Sequence, residues 1–427
     1  MSLFDDLSWR GLIAHCTDPV ALRRDLDQSH ITSYVGFDPT APSLHMGNLL
    51  QLVLARRLQR AGHRPILLVG GSTGLIGDPR QSAERSLNPK DVVEGWLERI
   101  RGQVQGYVDF DGPQGALIVN NYDWTVGLST LDFLRDIGKH FPVNRMLDRE
   151  VVRDRLEAGI SYTEFSYVLL QSLDYLELYR RYGTSLQTGG SDQWGNITAG
   201  VDLIRRVTGA HVHALATPLV TKADGTKYGK TEAGSVWLDA DMTSAYAFHQ
   251  FFLNAEDAMV VSLLKLFTER APEEIDELAR LTQDQPHLRA AQRALADDLT
   301  DLVHSPADRQ AVTNAAQAVF GQGDLRQLDA RTLASVAEEL PNVVWESLAD
   351  RTVVDALTET GVVASRGAAR RAIQEGGAYV NNQRATDTEQ GLSADDLLAG
   401  GLILVRRGKR TVGAVRVKAA VDSSAIR

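Results

Sequence analysis

The chain has 427 residues, 43% of them hydrophobic, and a formal net charge of −10 at pH 7. This length predicts two or three domains, and the hydrophobic content is ample for packed cores, so we expect a globular protein. No stretch of about 18 uninterrupted apolar residues occurs, and residues 1–6 lack the basic and then apolar pattern of a signal peptide. We therefore expect a cytoplasmic protein with no membrane partner. Cys16 is the only cysteine, which excludes an intramolecular disulfide and argues against a thiolate metal site; no protein-bound metal is predicted.

The net acidic charge conceals a basic C-terminal segment. Between Arg366 and Lys418 the chain has ten Lys and Arg residues against five Asp and Glu residues. An acidic body with a basic end indicates that any polyanion is bound locally, at that end of the chain.

The first informative stretch follows residues 1–30, which predict an amphipathic helix. A strand over residues 31–37 breaks at Asp38-Pro39, because proline removes a hydrogen-bond donor from the ladder. Apolar residues at helical spacing then predict a helix over residues 44–60. A strand, a tight loop and a helix N-terminus present free N–H groups and a positive dipole end to an anion, and we expect a nucleotide phosphate there.

A second strand and loop follow at residues 65–79. The continuous apolar run fits a strand buried on both faces of a parallel sheet, and its glycine-rich end either admits a ligand close to the backbone or forms only a tight turn. Residues 80–112 are polar and predict a helix. Residues 116–120 predict another short buried strand.

The segment over residues 162–183 predicts a helix that is apolar around nearly its whole circumference, which indicates burial on most sides. Tyr167, Gln171 and Asp174 interrupt this pattern at spacings that put them on one face. A buried carboxylate needs a partner to offset a desolvation cost of several kcal/mol. The polar face therefore predicts either a pocket for a polar small molecule or a structural polar network.

Residues 185–196 repeat the arrangement predicted for residues 31–60. A strand is followed by a glycine pair and then by polar residues at the start of a helix that extends to about Val207. Two such loops in one parallel sheet converge at the carboxyl ends of the strands, where ligands bind in doubly wound folds. A strand over residues 213–220 then leads into residues 221–231, which we call the lysine loop. Its Lys227 and Lys230 are either a solvated surface pair or mobile charges that close on phosphates during a reaction.

Two of these stretches resemble paired motifs of the class I aminoacyl-tRNA synthetases. His45-Met-Gly-Asn48 is similar to the His-x-Gly-His motif, and Lys227-Tyr-Gly-Lys-Thr231 is similar to the Lys-Met-Ser-Lys-Ser loop. Tyr34, the polar face of the 162–183 helix and the Gly-Gly-Ser-Asp-Gln-Trp-Gly-Asn run at 189–196 are typical of the tyrosine branch. By the order and spacing of these motifs the chain resembles the bacterial tyrosyl-tRNA synthetases along nearly its whole length.

The resemblance implies a role for each motif residue. Tyr34 and Asp174 would bind the phenol of L-tyrosine, which makes physical sense because a buried donor and acceptor are satisfied together by a ligand hydroxyl. The other implied tyrosine-binding residues are Asp78, Tyr167 and Gln171 at the α-ammonium group, Gln193 near the carboxyl group, and Asp38 and Gln187 in support. The implied ATP-binding residues are Gly36, His45, Gly47, Asn48, Gly190, Asp192, Lys227 and Lys230. The implied catalytic residues are Thr40, His45, Asn48, Arg85, Lys227, Lys230 and Thr231.

The implied reaction joins tyrosine to ATP, releases diphosphate, and then transfers the tyrosyl group to the terminal adenosine of tRNA(Tyr). The attacking carboxylate is already ionised at neutral pH, so the first step needs no general base. The protein has to orient two anions and stabilise the departing diphosphate, which calls for donors, lysines and Mg²⁺ held through the ATP phosphates.

The motifs depart from the family pattern at three places. Asn48 stands where the common motif has a second histidine, and its amide still donates a hydrogen bond. Tyr228-Gly229 and Thr231 replace Met-Ser and Ser in the lysine loop, a change familiar in the tyrosine branch. A lysine often found before Arg85 is absent, and Arg80 is the candidate substitute.

The resemblance implies an α/β fold, in which a Rossmann-like parallel-sheet catalytic domain is followed by a helical domain and a small α+β RNA-binding domain, and it implies a homodimer. The predicted segments are the catalytic domain at 1–220, the mobile lysine loop and linker at 221–245, the helical anticodon-side domain at 246–330, a linker at 331–352, the RNA-binding domain at 353–418 and a tail at 419–427. The basic cluster in the last domain is either a solvated face or an RNA contact made mainly through phosphates. The predicted RNA-binding residues are Arg366, Arg370, Arg371, Arg406, Arg407, Lys409 and Arg410.

Three other functions remain compatible with parts of the pattern. A small-molecule nucleotidyltransferase could use the same loop on phosphates but would not need the basic C-terminal domain. A catalytically silent RNA-binding protein should have lost the lysine loop or the polar helix face. A tryptophanyl-tRNA synthetase is disfavoured because an indole does not call for the pair of Tyr34 and Asp174.

Overall fold

The computed structural model describes residues 1–79, 88–157, 159–222, 225–231, 234–408 and 410–418. The chain forms two compact units: the first comprises Met1–Met242 and Ala255–Leu295, and the second comprises Thr243–Asn254 and Ala296–Arg427. The predictions for Arg80, Arg85, Lys409 and the tail at 419–427 lie outside the described residues. None of the helices in the described ranges has the length and apolar character needed to cross a membrane.

The first unit contains a six-stranded sheet in the order β1-β6-β5-β2-β3-β4, in which only β1 runs antiparallel to its neighbour. The strands are β1 (His15–Cys16), β2 (Thr32–Phe37), β3 (Arg64–Val69), β4 (Leu117–Asn120), β5 (Thr184–Gly190) and β6 (His213–Thr217). The chain proceeds outward from β2 to β4 and then returns to the other side of β2. The carboxyl ends of β2 and β5 therefore flank a topological switch point, where ligands bind in open α/β sheets.

Helices cover this sheet. Those of the first unit are α1 (Leu3–Trp9), α2 (Pro19–Gln28), α3 (Met46–Arg60), α4 (Thr73–Ile76), α5 (Lys90–Val104), α6 (Tyr122–Thr125), α7 (Thr130–Asp132), α8 (Val143–Leu147), α9 (Glu150–Arg153), α10 (Tyr162–Tyr182) and α11 (Trp194–Thr208). The fold class predicted for this part of the chain is confirmed.

One helix prediction in the first unit is wrong, and another is confirmed over part of its length. Residues 1–30 form α1, β1 and α2 rather than one amphipathic helix, because Gly11 takes a φ of +76° and Asp18 caps a new helix that has Pro19 at its first position. In residues 80–112, the described helix is confined to α5.

The segment predicted as a helical domain does form helices. They are α12 (Ala245–Leu253), α13 (Asp257–Phe267), α14 (Pro272–Asp284), α15 (Ala290–Val303) and α16 (Pro306–Val319). Helices α13 and α14 belong to the first compact unit, whereas α12 and α16 belong to the second.

The second unit also contains a five-stranded sheet in the order β11-β10-β12-β13-β9. Its remaining elements are α17 (Ala330–Glu338), β9 (Asn342–Trp345), α18 (Val353–Glu359), α19 (Arg366–Gln374), β10 (Ala378–Val380), β11 (Gln383–Arg384), β12 (Leu402–Arg407) and β13 (Thr411–Val417). The shorter strands β7 (Lys230–Thr231) and β8 (Gly234–Ser235) form a separate pair in the first unit.

The predicted linker at 331–352 is wrong, because it contains α17 and the edge strand β9. Strand β9 pairs in parallel with β13, and Trp345 is 1% exposed in the core of the small sheet. Pro341 stands immediately before this edge strand, where a missing N–H is tolerated.

Candidate active site

A cleft of about 440 Å³ lies at the switch point of the large sheet. Its walls come from the carboxyl ends of β2 and β5, the start of α3, one face of α10 and the lysine loop. The predicted residues that line it are Tyr34, Gly36, Asp38, Thr40, His45, Gly47, Asn48, Asp78, Tyr167, Gln171, Asp174, Gln187, Gly190, Asp192, Gln193, Lys227 and Lys230. Thr231 lies in β7.

The deep end of the cleft is built around the carboxylate of Asp174, which is 2% exposed. Its Oδ1 accepts a hydrogen bond from the indole N–H of Trp124 at 2.9 Å, and its Oδ2 accepts one from the amide of Asn121 at 3.0 Å. Burial raises the pKa of the Asp174 carboxyl to about 7, while these two hydrogen bonds act in the opposite direction. Burial therefore favours the neutral carboxyl, and the two hydrogen bonds favour the ionised carboxylate.

Tyr34 contributes a buried hydroxyl to the same end. The residue is 2% exposed, and its oxygen has no hydrogen-bond partner among the described residues. Its ring packs against Tyr175 with centroids 5.2 Å apart. Burial, and then the charge of Asp174, raise the pKa of the Tyr34 hydroxyl well above its usual value, so it remains a neutral donor. A buried hydroxyl without a partner is costly unless a ligand supplies one.

A chain of hydrogen bonds runs from the deep end toward the middle of the cleft. The amide of Asn121 also donates to the Thr73 hydroxyl at 3.0 Å, and Thr73 donates to Oδ1 of Asp38 at 2.5 Å. The hydroxyl of Tyr167 donates to Oδ2 of Asp38 at 2.6 Å. The polar face of α10 is thus part of a buried polar network, one of the two outcomes predicted for it, and the same face borders the cleft.

Asp78 lies in the middle of the cleft and accepts hydrogen bonds on both carboxylate oxygens. Gln193 donates to Oδ2 at 2.9 Å, and Asn196 donates to Oδ1 at 3.0 Å. The side-chain oxygens of Gln171 and Gln187 also border the cleft and have no partner among the described residues. This region offers several acceptors, which suit an ammonium group.

The other end of the cleft is built on the N-terminus of α3. The Nδ1 atom of His45 accepts a hydrogen bond from the N–H of Gly47 at 3.0 Å, so in the neutral ring the proton lies on Nε2. Burial lowers the pKa of His45, and the positive charges of Lys227 and Lys230 lower it further. His45 is therefore a neutral donor at pH 7. Oδ1 of Asn48 accepts a hydrogen bond from the backbone N–H of His45 at 3.1 Å. The side-chain nitrogen of Asn48 therefore remains available as a donor.

The lysine loop is attached to the same helix start through the backbone. Val236 donates to the carbonyl of Gly229 and accepts from the N–H of Met46, both at 2.9 Å. Lys227 and Lys230 are exposed, and Nζ of Lys227 lies 3.8 Å from Oδ2 of Asp192. The backbone is thus anchored while the two charged side chains remain at the mouth of the cleft.

Four residues of the site were missed in the sequence. Asn121 and Trp124 donate hydrogen bonds to Asp174. Thr73 donates a hydrogen bond to Asp38, and Asn196 donates one to Asp78. One signal was available for Asn121, because it directly follows β4 and so stands at the carboxyl edge of the sheet. Trp124 lies on a four-residue helix that carries no periodic pattern.

The predicted RNA-binding arginines of the second unit divide into two groups. Those with exposed side chains are Arg366, Arg370, Arg371, Arg407 and Arg410. Arg406 is 8% exposed, stacks over the ring of Tyr379 at 4.1 Å and donates to the carbonyl of Gly408. Its predicted RNA contact is therefore wrong, because the guanidinium is engaged inside its own unit.

Comparison with known protein families identifies the chain as a class I tRNA synthetase of the tryptophan and tyrosine group. The family model described as "tRNA synthetases class I (W and Y)" matches residues 26–321. The model described as the tyrosine–tRNA ligase SYY-like C-terminal domain matches residues 332–413.

Curated relatives narrow this class. The chain is 60% identical over 413 residues to the tyrosine–tRNA ligase of Cutibacterium acnes, a match that covers 97% of this chain and 99% of that protein. It is 54% identical over 416 residues to the tyrosine–tRNA ligase of Mycobacterium tuberculosis, covering 97% of this chain and 98% of that protein. The chain belongs to the bacterial tyrosine–tRNA ligase family.

Solved structures agree with this assignment. A C-terminally truncated mitochondrial tyrosyl-tRNA synthetase of Aspergillus nidulans matches with a TM-score of 0.68 and 29% identity, covering 75% of this chain and 94% of that chain. A tryptophanyl-tRNA synthetase of Encephalitozoon cuniculi matches with a TM-score of 0.53 and 13% identity, covering 73% of this chain and 90% of that chain. At that identity the second likeness is one of fold alone.

Proposed function

We propose that the cleft activates L-tyrosine with ATP and then transfers the tyrosyl group to tRNA(Tyr). The observation that carries this proposal is the deep end of the cleft, where the partnerless hydroxyl of Tyr34 and the carboxylate of Asp174 border one space. A phenol hydroxyl accepts from the first group and donates to the second. An indole N–H only donates and would leave Tyr34 unsatisfied.

The middle of the cleft binds the amino-acid end of the substrate. The α-ammonium group donates to Asp78, Tyr167 and Gln171, while Gln193 lies near the carboxylate. Asp38 and Gln187 support these groups. Two acidic side chains among these acceptors, Asp38 and Asp78, offset the charge of the ammonium group.

The start of α3 and the lysine loop bind ATP. Gly36, Gly47 and Gly190 let the nucleotide approach the backbone, and Asp192 binds the ribose hydroxyls. Thr40, His45 and Asn48 donate to the phosphates, together with the helix dipole. Lys227 and Lys230 bring two positive charges to the same region, and Thr231 and Arg85 complete the set proposed for the reaction.

The reaction then needs orientation and charge stabilisation rather than proton transfer. The ionised tyrosine carboxylate attacks the α-phosphorus of ATP, forming tyrosyl-adenylate and releasing diphosphate. His45 and the lysines stabilise the charge that develops on the diphosphate. The neutral Nε2–H donor of His45 suits this role because it does not depend on a protonated ring.

Mg²⁺ enters with the ATP phosphates in this proposal. The phosphate end of the cleft offers Thr40, His45 and two lysines, a donor set that suits phosphate oxygens. This fits a magnesium ion held by phosphate and water, which is how Mg²⁺ is usually bound in nucleotide sites. The ion would neutralise phosphate charge.

tRNA and a second copy of the chain are the proposed macromolecular partners. The exposed arginines of the second unit bind RNA phosphates. In the first unit Val126, Leu131, Val143 and Tyr162 are each at least 60% exposed. We propose that the protein forms a homodimer in the cytoplasm and that these exposed side chains are candidates for its interface.

Amino-acid-dependent exchange of labelled diphosphate into ATP tests the function. Tyrosine should support exchange, and phenylalanine and tryptophan should not. Equal exchange with tryptophan would favour the tryptophanyl alternative, and exchange that needs no amino acid would favour a nucleotidyltransferase. Asp174→Ala should abolish tyrosine binding and leave ATP affinity nearly unchanged; equal loss of both would assign Asp174 a structural role.

A further inference from the structure

Arg149 lies outside the cleft lining, between α8 and α9, but its guanidinium points toward the cleft wall. Its Nη2 donates to Oδ1 of Asn196, a residue that is 5% exposed. The neighbouring Gly195 leaves room for this contact, since a Cβ at that position would stand 3.1 Å from Nη2 of Arg149. Burial lowers the pKa of the Arg149 guanidinium, and the Asp78 carboxylate opposes that shift.

This contact determines how two amides are oriented. A guanidinium has donors and no acceptor, so Asn196 must turn its oxygen toward Arg149. The nitrogen of Asn196 then faces Oδ1 of Asp78 at 3.0 Å and Oε1 of Gln193 at 2.9 Å. With its oxygen occupied, Gln193 turns its own nitrogen to Oδ2 of Asp78 at 2.9 Å.

The orientation matters for the charge of Asp78. Amide oxygen and nitrogen atoms have nearly the same shape, so packing alone does not select one orientation. A reversed Asn196 would present an oxygen to Asp78, which favours a protonated carboxyl. With the orientation observed, both oxygens of Asp78 receive N–H donors, and hydrogen bonds to the charged form stabilise it.

We propose that Arg149 is a positioning residue that fixes the Asn196 and Gln193 amides and thereby holds Asp78 as an ionised acceptor for the substrate's ammonium group. This inference rests on the proposed tyrosine activation. Arg149 acts through Asn196, so it contributes to tyrosine binding without touching the substrate.

Diphosphate exchange with the full chain provides the first test. Arg149→Met should raise the KM for tyrosine roughly tenfold, because a charged hydrogen bond in a buried network is lost, and should leave the KM for ATP unchanged. Arg149→Lys should recover part of the loss, since lysine is also a pure donor. Arg145→Met is the matched control, because Arg145 lies in the adjoining helix with a 67% exposed side chain, and it should behave as wild type.

Two analogues separate positioning from general damage. The inhibition constant of tyrosinol, which keeps the ammonium group, should rise in Arg149→Met as the KM for tyrosine does. The constant of 3-(4-hydroxyphenyl)propionate, which lacks that group, should stay at the wild-type value. A parallel rise for both analogues would overturn the proposal.

A double-mutant cycle provides the second test. Arg149→Met combined with Asn196→Ala should be no worse than Asn196→Ala alone, because both act on one contact. Additive losses would refute the relay. If Arg149→Met does not fold, Gly195→Ala is the substitute, since its Cβ crowds Nη2, and it should raise the KM for tyrosine selectively. An inactive wild type would overturn the proposed function, whereas an active wild type with an unaffected Arg149→Met overturns this inference alone.

Discussion

The indole N–H of Trp124 lies 2.9 Å from Oδ1 of Asp174, and the amide of Asn121 occupies the other oxygen of the same carboxylate. Both donors stabilise the charged form of a group whose burial favours the neutral form. These two side chains therefore favour the ionised form of Asp174, which is the stronger acceptor for a ligand hydroxyl.

Trp124→Phe tests this dependence. The substitution keeps an aromatic ring but removes the donor to Asp174, so tyrosine binding should weaken by about 1–3 kcal/mol, the usual cost of losing a hydrogen bond to a buried charge. ATP affinity should be unchanged. Isothermal titration with each ligand measures both, and an equal loss for tyrosine and ATP would contradict the assigned role.

The pH dependence of stability provides a second test. Burial raises the pKa of Asp174 to about 7 from an ordinary value of 3.8. Between these values the folded chain binds more protons than the unfolded chain, so this group makes stability fall as pH rises. Asp174→Asn has no carboxyl group to titrate at this position. The thermal midpoint of the variant relative to that of wild type should therefore increase as the pH rises from about 4 to about 7. Parallel curves for the two proteins would refute the raised pKa.

Asn48 combines two functions that substitutions can separate. Its side-chain oxygen caps α3 by accepting a hydrogen bond from the backbone N–H of His45 at 3.1 Å. Its side-chain nitrogen is the proposed donor to the ATP phosphates. Asn48→Asp keeps the cap and loses the donor, so its stability should match wild type while kcat for exchange falls. Asn48→Ala should lose both, with about 1 kcal/mol of stability lost through the cap. Thermal melts and exchange kinetics compare the pair, and an Asp variant with full activity would exclude the donor role.

Gly229 and Gly225 form a matched pair in the lysine loop. Both have a positive φ, +90° and +81°, so alanine pays a similar backbone cost at each. A Cβ on Gly229 would lie 2.6 Å from Cβ of Met46, whereas one on Gly225 meets nothing within 4 Å in the described part of the chain. Gly229→Ala should therefore reduce kcat for tyrosyl-adenylate formation far more than Gly225→Ala. Equal effects in a single-turnover measurement would show that contact with α3 is unimportant.

Arg406 and Arg407 are neighbours with opposite expected effects. Arg406→Ala removes a buried side chain stacked on Tyr379 and should lower the thermal midpoint. Arg407→Ala should leave stability unchanged, weaken tRNA binding, and reduce the salt dependence of log K by about one unit. Filter binding at several salt concentrations measures this, and an unchanged salt slope would remove Arg407 from the proposed RNA surface.

Local patterns in the sequence were sufficient for part of this architecture. The spacing of Tyr167, Gln171 and Asp174 on a largely apolar helix predicted one polar face, and the structure places all three on the cleft. The strand and loop that precede α3 were also predictable, because Pro39 and the helical spacing after Leu44 are local signals. In each case the geometry is set within one element.

The missed features depend on pairing between distant segments. Asn121 and Trp124 meet Asp174 only because β4 lies at the edge of the sheet beyond β3. Strand β9 forms because β13 provides a partner some seventy residues later. The orientation of Arg406 depends on Tyr379 in another strand. No periodicity within one segment encodes such partners.

The hydrogen-bond chain from Tyr167 through Asp38, Thr73 and Asn121 to Asp174 joins the middle of the cleft to its deep end. Burial is the largest cause that raises the pKa of the Asp174 carboxyl, and the charge of Asp38 adds to it. Recognition of the ammonium group and of the phenol should therefore be cooperative. A tyrosine analogue that lacks one group would lose more affinity than that group contributes alone, because the remaining contacts are held less rigidly at the far end.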